Sequence, residues 1–182
     1  MDLSEDDIVA STRRWIERAV IGLRLCPFAA EPFADGRLRY CVSRARTADE
    51  LVTDLAIELQ RLHASEPAEC ETTLLIHPDV LGDFFEFNDF LDVVDATLDA
   101  LDLTDHIQVA SFHPRFQFAQ TERDDVENNT NRSPYPMLHL LRQASVERAV
   151  AAFGDTAKIY EGNIETLRSL GADGWRRLWS DV

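Results

Sequence analysis

Three short apolar runs alternate with stretches of helical periodicity, and this alternation restricts the fold more than any other feature of the chain. In residues 38–43, Leu38, Tyr40 and Val42 alternate with Arg39, Cys41 and Ser43, the pattern of a half-buried strand. Thr72–Ile76 is a continuous short apolar run and reads as a more central strand. Ile107–Phe112 reads as a third. Between the first two, Thr47 and Glu50 form a capping-box pattern opening a helix with Leu51, Val52, Leu55, Leu59 and Leu62 inward. Between the second and third, residues 79–101 predict a long helix burying Phe84, Phe87, Phe90, Leu91, Val94, Leu98 and Leu101. Strand–helix–strand–helix–strand favours parallel strands joined by right-handed crossovers.

The flanks read as helical. Residues 6–25 place Ile8, Val9, Thr12, Trp15, Ile16, Ala19, Val20 and Leu23 on one face, behind a Ser4/Asp7 capping pattern. Cys26-Pro27 ends that helix, because a residue before proline avoids the helical region. A polar connection, residues 115–132, has the length that is functional or disordered when it lacks structure of its own. Helices are predicted at residues 135–143, 146–153, 156–170 and 174–179, with Gly154 and Gly171 at C-cap positions. The expectation is therefore an α/β fold: a small, mainly parallel sheet of about three strands, flanked by an N-terminal helix and a helical C-terminal third. Residues 1–182 form a single domain on this reading.

Charge and cysteine usage exclude several function classes. A net charge of −15 opposes non-specific binding to nucleic acid or anionic membranes. No apolar run approaches the roughly 20 residues of a membrane span, and the acidic start lacks a signal peptide's basic n-region. Cys26, Cys41 and Cys70 are odd in number and widely spaced, which points to a reducing, cytoplasmic compartment.

Two strands end alike, in His77-Pro78 and His113-Pro114. Ligands of parallel α/β sheets bind beyond the carboxyl ends of the strands, so both histidines are expected at one rim as catalytic candidates, with Arg44 at the end of the first strand. The segment Asn131-Arg132-Ser133-Pro134-Tyr135-Pro136 adds Asn131, Arg132 and Ser133, the last read as a helix N-cap. His139 and Arg142 would share a face of the helix behind it and complete an anion site. The alternative is a rigid loop stapled by asparagine side chains, with Arg142 paired to an acid such as Glu147. Cys26 is a possible thiol, although a helix C-terminus raises a thiol pKa. No C-x-x-C or H-x-x-x-H spacing occurs, so no metal ligand is assigned and no cofactor is predicted. Asp124, Asp125, Glu127 and Asn129 lack the glycine of a calcium loop.

Several of these motifs carry a resemblance. Residues 15–29, with Val20-Ile21-Gly22-Leu23 and Leu25-Cys26-Pro27-Phe28, resemble the opening of the proteins grouped as Domain of Unknown Function family 1415. His77-Pro78 with Asn88-Asp89-Phe90-Leu91-Asp92 is similar too, as are Ser111-Phe112-His113-Pro114, Phe116-Gln117-Phe118 and Asn131-Arg132-Ser133-Pro134-Tyr135-Pro136. The resemblance covers nearly the whole chain. It implies a bacterial cytoplasmic protein and no particular activity.

The residues themselves favour a small-molecule enzyme or binding protein for a phosphate- or carboxylate-bearing ligand. His77 and His113 would transfer protons near neutral pH while Arg44, Arg132 and Arg142 hold the anion. Rival readings are a metal- or thiol-dependent protein using Cys26 and the histidines, and a non-catalytic interaction protein presenting the Asp92, Asp95, Asp99 and Asp102 stripe. Oligomeric state is left open. Since no disulfide is expected, adding reductant should leave the thermal unfolding midpoint unchanged. A drop of many degrees would contradict the compartment assignment.

Overall fold

The computed structural model describes residues 3–153 and 156–179. Helix α1, Glu5–Trp15, opens on the Ser4/Asp7 capping box, and α3, Ala48–Ala64, on that of Thr47 and Glu50. Both boxes satisfy backbone donors that the first turn leaves free. The three expected strands form as β1 (Leu38–Val42), β2 (Thr72–Ile76) and β3 (Ile107–Phe112). Between β2 and β3, α4 spans Phe84–Ala100, with the Asp83 carboxylate accepting from the Phe85 and Glu86 N–H groups. A short helix, α2 (Ala30–Ala34), precedes β1.

The sheet corrects the expectation of about three mainly parallel strands. It has four, in the order β1-β2-β4-β3, and is mixed. The fourth, β4 (Met137–Arg142), occupies the segment expected to be helical. It lies antiparallel to both β2 and β3, which it separates. Met-Leu-His-Leu-Leu-Arg is a short, nearly continuous apolar run, and periodicity alone does not separate a buried central strand from a buried helix. Ser133 accordingly caps no helix; its hydroxyl donates to the Tyr135 carbonyl at 2.6 Å.

Each face of the sheet carries one core. Leu75, Leu138 and Leu140 pack against Leu51, Leu55, Leu59 and Leu62 of α3 and Phe87, Phe90, Val94 and Leu98 of α4. Leu74, Ile76 and Met137 pack against Ile8, Trp15, Ile16 and Ala19, with Phe112, Tyr135 and Trp175 at the margin. The Trp15 and Phe112 rings meet edge to face at 5.3 Å. The chain beyond α1 is not regular helix to residue 25: Ile16–Ile21 is a π-helical turn. Gly22 permits its tight closure, since a Cβ there would lie 2.4 Å from the Arg18 carbonyl oxygen.

After β3, Val126–Thr130 forms a 3-10 turn, and the chain ends in α5 (Gln143–Phe153) and α6 (Thr156–Arg177). Gly171 breaks α6 with φ 67°, as its expected capping role requires. Gly154 lies outside the described residues. Asp92, Asp95 and Asp99 are exposed on the outer side of α4. Among the described residues no helix is long and apolar enough to cross a membrane.

Strand and helix readings of residues 137–142 bury different side chains. In the strand, Leu140 is fully buried while Leu141 is only half-buried. Leu140→Ala should cost about 2–5 kcal/mol in denaturant unfolding, and Leu141→Ala clearly less. Equal costs would contradict the strand.

Candidate functional site

Because β1, β2 and β3 run the same way and β4 runs against them, one edge of the sheet gathers three strand carboxyl ends and the amino end of β4. His77 follows β2 there, and its backbone N–H donates to the Pro136 carbonyl at 3.0 Å. His113 follows β3, and its N–H donates to the Asn131 carbonyl at 3.1 Å. The two His-Pro steps thus meet the Asn-Arg-Ser-Pro segment through main-chain bonds, on the rim the strand directions require.

The imidazoles are buried and carry their protons on different nitrogens. His77 Nδ1 lies 3.1 Å from the Val80 carbonyl, which can only accept, so Nδ1 holds the proton. Its Nε2 is then a bare acceptor, buried and without a partner. His113 is the reverse. Its Nδ1 accepts from the Arg115 N–H at 3.0 Å, and Nε2 donates to the Leu81 carbonyl at 3.2 Å. Arg115 adds a guanidinium bond to the Gly82 carbonyl. Three successive carbonyls, Val80, Leu81 and Gly82, are therefore gripped from the rim, and Leu81 takes a left-handed φ of 55° within that grip. The Phe87 ring packs against both histidines, at 5.7 Å from His77 and 5.1 Å from His113.

Burial decides the protonation of these rings. It pushes His77 down to about 4, and it lowers His113 as well, with Arg115 adding to the effect. Both are neutral at pH 7. That departs from proton-transfer groups poised near neutrality.

Residues 115–132 are ordered by their asparagines. The Asn128 side-chain oxygen accepts from the Phe118 N–H at 3.0 Å and the Thr121 hydroxyl at 2.8 Å, while its nitrogen donates to the Glu122 carbonyl at 2.8 Å. Asn131 donates to the Ser111 carbonyl on β3 at 3.0 Å. Arg132 is half-buried in this loop. It donates to the Phe116 carbonyl at 3.1 Å, the Arg123 carbonyl at 2.6 Å and the Asn129 side-chain oxygen at 3.4 Å. Among the described residues no carboxylate hydrogen-bonds to it; burial lowers its pKa, with Arg123 adding to the effect and the Asp124 carboxylate opposing it.

Arg44 also stands at this edge, partly exposed, with Asp79 at 3.6 Å and Glu5 at 3.9 Å. Two expected site residues lie elsewhere. His139 sits within β4, opposite Leu74 and Ala110, and its Nε2 meets the Thr72 hydroxyl at 2.7 Å. Arg142 is at the opposite edge of the sheet and binds carbonyls rather than Glu147: Leu62 at 2.8 Å, Ser65 at 2.6 Å and Cys70 at 3.0 Å. The helix expected to carry both residues is instead β4. In a strand ending at residue 142, the two side chains project to opposite faces.

Cys26 follows the π-turn and is half-buried. Burial raises its thiol pKa, against the lowering effect of backbone bonds at Phe28 and Ala29. The cause is desolvation rather than a helix dipole, and it leaves the thiol protonated. Among the described residues no three His, Cys, Asp or Glu side chains are grouped to hold a metal ion. Arg115 was not singled out in the sequence. A basic residue two positions beyond a His-Pro strand end was the available signal.

Fold and rim together define an α/β protein with a four-stranded mixed sheet and a loop-covered carboxyl edge built from two buried histidines and an arginine. The chain belongs to the family described as Protein of unknown function (DUF1415), whose model matches residues 7–177. No curated protein and no solved structure matches it.

The buried imidazoles make stability depend on pH. His77 and His139 are held near 4 in the fold, against 6.5 for the free side chain. Between those values the unfolded chain binds protons that the folded chain refuses, so stability falls as pH drops through 6.5 and the loss is complete below about 4. The urea midpoint should decline steadily from pH 7 to pH 4. His139→Gln should shrink that decline by about 3 kcal/mol; a decline as steep as wild type would overturn the assignment.

Proposed function

We propose that this protein binds a small anionic ligand, bearing phosphate or carboxylate, at the carboxyl edge of its sheet. Arg132 supplies the charge, flanked in sequence by Asn131 and Ser133 and on the same rim as Arg115. One observation carries this reading: the Arg132 guanidinium is half-buried and hydrogen-bonds only neutral oxygens, and the attraction of Asp124 does not offset its desolvation. A desolvated cation is costly without an opposite charge. Elsewhere in this acidic chain Arg37, Arg39, Arg44, Arg61 and Arg168 each have a carboxylate within reach. Arg142 lacks one but caps the carbonyl end of α3, whose dipole stands in for an anion.

Between an enzyme and a binding protein, the geometry favours binding. Both nitrogens of His113 are committed to the backbone, and His77 is too weakly basic to accept a proton at neutral pH.

Thermal-shift and calorimetric titrations with inorganic phosphate and with succinate test the reading. A ligand at about 100 times its dissociation constant should stabilise the wild type by about 3 kcal/mol. Arg132→Ala loses three hydrogen bonds and should itself be less stable by about 1–3 kcal/mol, but the comparison is of the ligand-induced gain, which should vanish. An equal gain in wild type and variant, or no gain in the wild type from either anion, removes the proposal.

A further inference from the structure

At the other edge of the sheet, two histidines from distant parts of the sequence face each other. His63 lies in the last turn of α3, and His106 immediately precedes β3. Their ring centroids are 4.9 Å apart, with the planes tilted at 54°. Both residues are exposed. Among the described residues neither imidazole has a hydrogen-bond partner, so the nitrogens that could bind a ligand are uncommitted.

This approach is fixed by the backbone rather than by two loose side chains. The end of β4 holds both elements. The Arg142 guanidinium binds the Leu62 and Ser65 carbonyls on either side of His63, and the next residue, Gln143, donates its N–H to the His106 carbonyl at 2.8 Å. Two consecutive residues, the last of β4 and the first of α5, thus hold the backbone that carries both rings. In a tetrahedral site with metal–nitrogen bonds of about 2.0–2.1 Å, two ligand nitrogens stand roughly 3.3 Å apart, a spacing compatible with ring centroids 4.9 Å apart. Two carboxylates are close in sequence: Asp102 and Asp105 lie in the exposed turn leading to His106.

We infer that His63 and His106 form a two-histidine binding site for a borderline divalent transition metal such as Zn2+, cross-linking the end of α3 to the start of β3. Neutral imidazole selects zinc, copper and nickel over magnesium and calcium, which prefer oxygen. With no third described side chain grouped for the purpose, water completes the coordination and the ion exchanges readily. The site is independent of Arg132, which lies at the carboxyl edge.

The test is calorimetric titration of untagged protein with ZnCl2, and with MgCl2 as the control for carboxylate binding. One Zn2+ should bind per chain, and binding should raise the unfolding midpoint, while Mg2+ produces neither effect. His63→Ala and His106→Ala should each weaken Zn2+ binding about tenfold or more. Both positions are exposed, so far-UV circular dichroism should match wild type. As a readout on the wild-type chain, Zn2+ should shift the imidazole NMR resonances of His63 and His106 and leave those of His77 and His139 in place. Wild-type affinity in either variant, equal displacement by Mg2+, or shifts at the buried histidines instead would overturn the inference.

Discussion

The antiparallel insertion of β4 between β2 and β3 is the constraint on which the rest of this structure depends. Without it, β2 would keep only β1 as a neighbour and β3 would have none, because β1 pairs only with β2 and β3 only with β4. The same strand supplies Leu138 and Leu140 to one core and Met137 to the other. Its amino end brings the Asn-Arg-Ser-Pro loop onto the His-Pro steps. Its carboxyl end ties α3 to the start of β3 through Arg142 and Gln143. Both edges of the sheet are therefore organised by β4 and the residues that flank it, a segment that reads from sequence as helix.

What was legible in the sequence was local. Capping at Ser4 and Thr47 involves partners three residues away, and both boxes form. Strand ends at His77 and His113 follow from short apolar runs followed by proline, and parallel direction then brings both histidines to one rim. What escaped were features whose cause is distant. The π-turn at Ile16–Ile21 needs the Gly22 contact, which has no signature in hydrophobic periodicity. Pro134 after Ser133 mimics a helix start, yet β4 extends because β2 and β3 offer open edges on both sides. Arg142 found carbonyls of residues 62, 65 and 70, a set that nothing near it in the sequence announces. His63 and His106 met for the same reason.

Arginine works in two ways in this acidic chain. Most of the arginines in ion pairs neutralise nearby acids. Arg39 is among them, reaching the nearly buried Glu58 at 2.7 Å. Arg142 instead acts as a fastener for main-chain carbonyls, and Arg115 does so while also standing 3.9 Å from Asp83, both using a planar fork of donors that lysine lacks. Arg132 does the second job in a half-buried setting. The histidines extend this economy. His77 and His113, in opposite tautomers, hold adjacent carbonyls of the β2–α4 connection, so polar groups beneath that rim are largely matched to backbone.

The central place of β4 has a consequence for synthesis on the ribosome. Strands β1, β2 and β3 all emerge before residue 137, and until then the inner edges of β2 and β3 have no strand between them. Those edges carry unpaired amides beside strongly apolar side chains, the combination that recruits strands from other chains. The nascent protein is most exposed to mispairing during the interval in which the polar loop 115–132 leaves the exit tunnel, after β3 and ahead of β4.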